Sequence, residues 1–295
     1  LAFAVDSSWQ LDSFDLKLIV GLADSDMEYS YDEDWTFAGI HPDGYMSRDV
    51  YLRDRDTQSL ELRFISNESS KLFADSTQWL FGVYTLSSDE SLRRQYTFAA
   101  SDFNSNYGFD TAAVFFQLDT EFSEKWVLET GMRVETRDTI YADSEQLDFS
   151  PAETFWGGRI AAKYLISADS MAYASVARGY KAGGFNTDGT LDADLREFGE
   201  EFLIEYELGV KSKLFANKLH LKAALFHDDR RDQQVKSSTG RIRDNGSTEF
   251  IDFIGNAAEG TNNGVEFEAV WYATQQLSLT ANFGLLDATF DSFLN

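Results

Sequence analysis

The sequence has no cysteine and only two prolines, Pro42 and Pro151, among its 295 residues. The absence of cysteine excludes a disulfide framework, a thiol nucleophile and a thiolate metal site. Proline removes a hydrogen-bond donor from a strand ladder, whereas aromatic side chains favour sheets. Scarce proline with an aromatic content of 15% therefore favours long paired strands.

Positive charge is also scarce, with 25 Lys and Arg against 50 Asp and Glu, a net charge of −25. A phosphate backbone requires a basic surface, so nucleic acid is excluded as a partner. No run of eighteen apolar residues is present, which excludes a transmembrane helix. The first residues resemble no signal peptide, and strand-like pattern continues to both ends. We therefore expect residues 1–295 to be one β-domain, incomplete at both ends.

The main positive feature is alternation of apolar and polar residues with period two, which is typical of strands with one polar side. Leu277, Leu279 and Phe283, for example, alternate with Ser278 and Thr280. The pattern recurs about twelve times. The predicted strands cover about 1–11, 14–23, 57–66, 77–87, 111–122, 125–136, 153–166, 170–178, 202–211, 218–227, 265–271 and 277–285.

The connections between these strands alternate strictly between short and long. Short ones lie at 11–13, 67–76, 123–125, 167–170, 214–217 and 274–276, and long ones at 24–56, 88–110, 137–152, 179–198 and 229–261. An outer-membrane barrel has short periplasmic turns and long extracellular loops, whereas a soluble sandwich has no reason to keep this order. The sequence thus predicts an all-β fold, a transmembrane antiparallel up-and-down β-barrel.

A charged side chain facing lipid is costly, so the charged face of each strand is predicted to line the lumen. This inner face carries Glu205, Glu207, Lys222, Glu266, Glu268, Lys218, Arg133, Arg159 and Lys163. The outer face carries Ile204, Leu208, Leu219, Leu221, Leu225, Leu277, Leu279 and Phe283. Tryptophans near strand ends are predicted to form aromatic girdles on that face: Trp9, Trp79, Trp126, Trp156 and Trp271.

Residues 172–186, Ala-Tyr-Ala-Ser-Val-Ala-Arg-Gly-Tyr-Lys-Ala-Gly-Gly-Phe-Asn, resemble the barrel signature of TonB-dependent receptors. Further similar phrases follow in the same order, including residues 206–212, 224–227, 232–235, 256–258, 264–268 and 286–290. The resemblance covers nearly the whole chain and is specific for the barrel, not for the ligand. We expect a structural role at a strand-to-loop transition for the signature residues Arg178, Gly179, Tyr180, Lys181, Gly183, Gly184, Phe185 and Asn186.

The resemblance implies a complete barrel of 22 strands around an N-terminal plug, with the plug and the last strands missing here. It implies a protein of the outer membrane of a Gram-negative bacterium that contacts lipid and lipopolysaccharide. Through the missing N-terminal region it would use the TonB energy-coupling complex to import a scarce nutrient. A ferric siderophore is the first expectation, with cobalamin, haem or oligosaccharide as other cargoes. A passive porin and a soluble carbohydrate-binding module are the alternatives.

The long connections carry the candidates for binding this small-molecule ligand, because aromatic side chains offer flat contact area and arginine pairs with carboxylate or catecholate oxygens. The candidates are Tyr45, Tyr96, Arg230, Arg231, Arg241 and Arg243. The protein itself is expected to hold no metal or cofactor, since His41, His220 and His227 form no ligand pair. Iron would enter only inside a transported chelate.

The acidic residues between Asp24 and Asp34 have two possible interpretations, a solvated loop or a calcium site. The glycine that an EF-hand loop requires at its sixth position is absent, because Tyr29 stands there. No nucleophile motif or isolated carboxylate pair is present, so catalysis is not expected.

Overall fold

The computed structural model describes residues 1–32, 37, 39–40, 46–186, 191–242 and 248–293. Their main sheet has twelve long antiparallel strands in sequence order, each paired with the next, which confirms the predicted topology. The strands are β1 Ala2–Gln10, β2 Asp15–Asp32, β3 Arg48–Ile65, β4 Thr77–Tyr96, β5 Phe103–Glu121, β6 Trp126–Asp143, β7 Asp148–Phe149, β8 Ala152–Ser167, β9 Ser170–Lys181, β10 Gly184–Phe185, β11 Glu197–Phe198, β12 Glu201–Leu214, β13 Leu219–Ile242, β14 Thr248–Tyr272 and β15 Ser278–Phe293.

The three strands of two residues are exceptions to this simple order. β7 pairs with β6 beside β8, and β10 pairs with β11 in a separate small sheet. A 3-10 helix, Ala193–Leu195, precedes β11. No helix within the described ranges is long and apolar enough to cross a bilayer.

All six predicted short turns lie at one end of the sheet, here called the short-turn end, and the opposite end is called the mouth. Two of the turns are tightened by three consecutive residues with positive φ, one of them at Phe215, Ala216 and Asn217. Adjacent turns also contact one another, as Asn67 Nδ2 donates to Leu11 O at 3.0 Å. Tight turns of this kind hold neighbouring strands in register.

The register places the two residue classes on opposite faces, as predicted. Leu208, Leu225 and Val265 lie side by side on one face, with Leu208 58% and Leu225 54% exposed. Lys222 and Glu268 lie opposite each other on the other face. The chain folds back onto this polar face at the mouth, as described below, so the polar face is the inner one.

The five predicted girdle tryptophans all lie on the outer face. Trp9, Trp79, Trp126 and Trp271 lie within three residues of a strand end at the short turns, and Trp156 lies on the mouth side of β8. Trp126 packs against Tyr164 with ring centroids 4.9 Å apart. Between these aromatic levels the outer face is apolar, and we call this part of the sheet the band.

The predicted long loops are wrong for the most part, because strands continue through them. β2 runs on to Asp32, and β13 and β14 form a hairpin that reaches Ile242 and Thr248. We call the parts of the strands that continue beyond the band toward the mouth the extensions. Beyond the band there is no requirement for an apolar face. The hydrophobic alternation therefore ends there, while the backbone pairing of the strands continues. Asp24, Asp56 and Asp89 mark the change, since they are the first outward carboxylates on three adjacent strands.

Candidate functional site

A network of charged and aromatic side chains crosses the inner face of β3 to β6 at the mouth. Glu90, whose side chain is 5% exposed, accepts hydrogen bonds from Arg53 Nη1 at 2.7 Å and from Arg55 Nε at 2.8 Å. The strand register causes this arrangement, because Arg55 lies directly opposite Glu90 and Arg53 lies on the same face two residues away. One carboxylate therefore serves two guanidinium groups.

The network continues onto β5 and β6. Tyr107 lies opposite Glu90, and its Oη accepts a hydrogen bond from Arg137 Nη2 at 2.7 Å. The guanidinium of Arg137 also lies over the ring of Phe109, 3.7 Å from the centroid. Burial raises the pKa of Tyr107, so its phenol is neutral at physiological pH. We call Arg53, Arg55, Glu90, Tyr107, Phe109 and Arg137 the arginine–aromatic wall.

A second aromatic cluster lies beside this wall on β2 to β4. Tyr29 stacks on Tyr51 with centroids 4.8 Å apart. The guanidinium of Arg94 lies 5.2 Å from the ring of Tyr51 and 5.1 Å from that of Tyr96, and pairs with the buried carboxylate of Asp49 at 2.6 Å. The sequence candidate Tyr96 therefore lies on the inner face, at the mouth.

Residues 182–186 and 191–200, here called the strap, fold across the inner face at the mouth. Phe185 stacks on Tyr141 of β6 at 5.0 Å and lies 5.9 Å from Tyr107 of the wall. Arg196 is fully buried and donates from Nη1 to Asp143 Oδ2 at 2.6 Å and from Nη2 to Glu145 Oε2 at 2.6 Å. Burial raises the pKa of the Tyr141 hydroxyl, which also bonds Asp143.

The strap is also tied to β13 and β14. Asn186 Nδ2 donates to Ile254 O at 2.8 Å, and Ile254 N donates back to Asn186 Oδ1 at 2.9 Å. Gln234 Nε2 donates to Ala182 O at 2.8 Å, and Asn256 Nδ2 donates to Gly199 O at 3.0 Å. The strap thus joins β6 to β14 and narrows the mouth beside the arginine–aromatic wall.

The signature residues lie where β9 passes into the strap. Arg178 lies on the outer face, with its guanidinium 4.4 Å from the ring of Trp156 and 4.6 Å from that of Phe202. Tyr180 stacks on Phe155 at 5.3 Å and donates to Glu135 Oε2 at 3.0 Å.

The other signature residues adjoin the strap. Gly179 and Lys181 pair with Leu203 and Glu201 of β12. A Cβ on Gly183 would lie 2.5 Å from Phe198 O, and one on Gly184 would lie 2.9 Å from the Phe198 ring. Only glycine allows the two parts of the strap, residues 182–186 and 191–200, to approach each other this closely.

The arginines proposed from the sequence lie apart from the wall. Arg230 pairs with Glu201, Arg231 with Asp229 at 3.3 Å and Arg241 with Asp192 of the strap at 2.8 Å. All three are on β13, which five long strands separate from Tyr96 on β4. Tyr45 and Arg243 lie outside the described residues, as do His41 and the acidic residues 33–34.

Sequence reasoning assigned Arg53, Arg55, Glu90 and Arg137 to the long connections and did not single them out, because a loop has no register that would bring them together. A usable signal was present in residues 53–56, Arg-Asp-Arg-Asp, where opposite charges alternate with period two. Such a pattern indicates a strand with one basic and one acidic face. Within the described part of the chain, no group of three or more His, Asp or Glu side chains is placed to hold a metal ion.

Comparison with known proteins places this architecture in a family. Residues 2–294 match the family described as TonB dependent receptor-like, beta-barrel. The pesticin receptor of Yersinia pestis is 27% identical over 210 residues, which are 67% of this chain and 29% of that receptor.

Two solved structures have the same fold at low sequence identity. The ferric yersiniabactin uptake receptor of Yersinia pestis has a TM-score of 0.79 at 20% identity, covering 99% of this chain and 43% of that chain. A siderophore receptor of Acinetobacter baumannii has a TM-score of 0.73 at 15% identity, covering 99% and 47%. The chain thus spans less than half the length of these relatives. Because the family match covers nearly the whole sequence, the chain belongs to the TonB-dependent receptor-like β-barrel family.

Proposed function

We propose that the whole protein is an outer-membrane receptor of a Gram-negative bacterium that imports a ferric siderophore with energy supplied through TonB. The observation that carries this proposal is the arginine–aromatic wall on the inner face at the mouth. It places cationic and flat aromatic groups where a cargo enters, in a chain of net charge −25. Family membership supports the transport class, and the described relatives include receptors whose names refer to siderophores.

Iron enters this proposal as cargo, inside a chelate, and the protein supplies only the surface that recognises it. Siderophore complexes present flat or branched organic groups and oxygen donors around the metal. Aromatic side chains bind the organic part at low entropy cost, and arginine binds oxygen donors with a planar fork. In this proposal the arginine–aromatic wall, and not a catalytic group, determines which cargo is bound.

The outer parts of the extensions are proposed as a first capture surface. Arg230, Arg231 and Arg241 lie along β13 toward its tip, and Arg231 and Arg241 are in exposed ion pairs. Exposed pairs contribute little to stability and exchange easily, so an anionic ligand can compete for these guanidinium groups. Arg243 and Tyr45 belong to the same proposal from the sequence alone.

The test is accumulation of radioactive iron by cells that produce the full-length protein under iron limitation, with and without the TonB system. We expect uptake only when TonB is functional. Uptake that continues without TonB would contradict energy coupling and indicate a passive pore. TonB-dependent uptake of a cargo without iron would retain the receptor and reject the siderophore. The capture surface is tested by replacing Arg230, Arg231, Arg241 and Arg243 together and measuring the apparent affinity of iron uptake.

A further inference from the structure

The arginine–aromatic wall has more positive charge than its own acidic side chains neutralise. Arg53 and Arg55 share the single carboxylate of Glu90. Arg137 has no carboxylate within salt-bridge distance among the described residues, and its polar contact is the neutral phenol of Tyr107. Three guanidinium groups thus face the mouth with one close counter-charge.

Two donors of the wall also lack partners. The Nε atoms of Arg53 and Arg137 are buried and make no hydrogen bond within the described part of the chain. A buried donor without an acceptor is unfavourable, and buried polar groups are normally paired with another group. Both atoms belong to side chains whose other nitrogens already hold Glu90 or Tyr107. The hydrogen-bonding capacity of both guanidinium groups is thus only partly used within the described part of the chain.

Glu153 is the carboxylate that could have neutralised Arg137, because the two residues lie directly opposite each other. They do not form an ion pair. Burial, followed by the charge of Glu200, raises the pKa of Glu153, and the charge of Arg137 opposes this shift without an ion pair being formed. The guanidinium of Arg137 therefore has no carboxylate in direct contact among the described residues, and its polar contact is Tyr107.

The wall can be reached from the lumen. The side chain of Arg55 is 53% exposed and that of Arg53 is 22% exposed. The ring of Phe109 beneath Arg137 supplies apolar surface next to the charges. A molecule with acidic oxygens and a flat organic part matches this combination.

We propose that the cargo is a ferric chelate of net negative charge, and that its ionised carboxylate or phenolate oxygens bind Arg53, Arg55 and Arg137. This inference rests on the proposed function and narrows it from ferric siderophores in general to anionic ones. Neutral ferric hydroxamates are thereby excluded as preferred cargo. Tyr107 and Glu90 act as positioning residues that hold the guanidinium groups in place.

The test measures binding of defined ferric complexes to the purified full-length protein by quenching of tryptophan fluorescence. The anionic probes are ferric citrate, a ferric tris-catecholate and a ferric salicylate complex. The neutral probe is ferrichrome. We expect at least one anionic complex to bind more tightly than ferrichrome, with an affinity that falls as salt is raised.

Variants then locate the site. Arg137→Gln and Arg53→Gln are each expected to weaken binding of the anionic complex by about tenfold, since each removes a charge-assisted hydrogen bond. Arg137→Lys should restore part of the affinity, because it keeps the charge and loses the fork. The matched control is Arg93→Gln. Arg93 is an exposed arginine on the outer face of β4, and it pairs with Asp102 at 2.6 Å. The substitution should leave affinity within about twofold, as expected for an exposed pair.

The outcomes separate the two proposals. Tightest binding of ferrichrome, equal effects of Arg137→Gln and Arg93→Gln, or binding of none of the anionic probes would overturn the anionic-cargo inference. TonB-dependent iron uptake in the same cells would then still support the proposed function. Absence of any iron uptake would reject the proposed function itself.

Discussion

The band and the extensions are parts of the same strands, yet different interactions hold them together. In the band the outer face is apolar, as the proposed membrane location requires, and Leu208, Leu225 and Val265 lie in one row. In the extensions the outer face carries charged residues, and Asp24, Asp56 and Asp89 lie side by side across three strands. Like charges in adjacent cross-strand positions are unfavourable. The extensions therefore depend on their inner face and on the strap.

This difference predicts which substitutions each part of the molecule tolerates. The band has many equivalent apolar contacts, so no single one is essential unless a charge is introduced. Most buried side chains of the described residues lie in the extensions and the strap, and the strap is held by a buried group formed by Arg196, Asp143 and Tyr141. A single substitution there should release a whole segment.

The largest expected effect is therefore that of Arg196→Met. Removing one partner of a buried ion pair leaves an uncompensated charge, here on Asp143, and destabilises by about 3–5 kcal/mol. We expect the strap to lose its protection against hydrogen exchange and to become open to proteolysis, while the band is unchanged. Mass spectrometry of the exchanged full-length protein measures both regions at once.

Arg241→Met is the control for that substitution. Its ion pair with Asp192 joins the same strap to β13 but is exposed, with side chains 44% and 74% accessible. Exposed pairs contribute at most about 1 kcal/mol. Equal loss of protection in the two variants would show that the buried pair has no special role.

The next largest effect is expected within the band, from Leu225→Arg. A charge on the lipid face near the midplane costs about 2–4 kcal/mol, whereas Ala224→Arg next to it faces the lumen. Leu279→Arg should lower stability less than Leu225→Arg does, because Leu279 is the second residue of β15 and lies near the girdle. Ser278→Arg should lower stability least of these three variants. Unfolding by denaturant in lipid vesicles measures all four. Similar losses for residues 224 and 225 would reverse the assignment of the faces.

An intermediate effect is expected where an inner-face ring lies over a glycine of the next strand. A Cβ on Gly82 would lie 2.2 Å from the ring of Phe115, and the same arrangement occurs at Gly209 with Tyr173. We expect Gly82→Ala to displace the ring and to destabilise by about 1–3 kcal/mol. Gly284→Ala is the control, since nothing lies within 4 Å of that position. Thermal unfolding of both variants decides, and a stable Gly82→Ala protein would contradict the close packing.

The smallest effect is expected from Glu153→Gln at the start of the β8 extension. Because burial raises the pKa of Glu153, the protonated form stabilises the folded state, and that stability is lost as the pH rises through the raised pKa. The variant should thus be slightly more stable at neutral pH, by less than about 0.5 kcal/mol since solvent screens the site. The difference should vanish below about pH 4, where the side chain is protonated in both states. A wild-type protein that is more stable at neutral pH would contradict the sign.

The sequence predicted the band well and the extensions poorly, for one physical reason. Alternation is visible only where one face of the sheet is apolar and the other polar, so β1 and the short turns were located within a few residues. In β13 the pairing continues through Asp229 to Ile242 without an apolar face, and the same polarity suggested a loop. The wall could not be assembled from sequence, because the contact between Arg53 and Glu90 depends on strand register over 37 positions.

The central claim is that cargo binds the arginine–aromatic wall, and the most direct measurement is the position of iron in the full-length protein. Anomalous scattering at the iron edge, from crystals grown with a transported ferric complex, locates the metal without assumptions about the ligand. We predict the iron on the inner face at the mouth, with chelate oxygens in contact with Arg137 and with Arg53 or Arg55. Iron held only at the tip of β13, near Arg230 and Arg241, with no chelate atom touching the wall, would contradict the account.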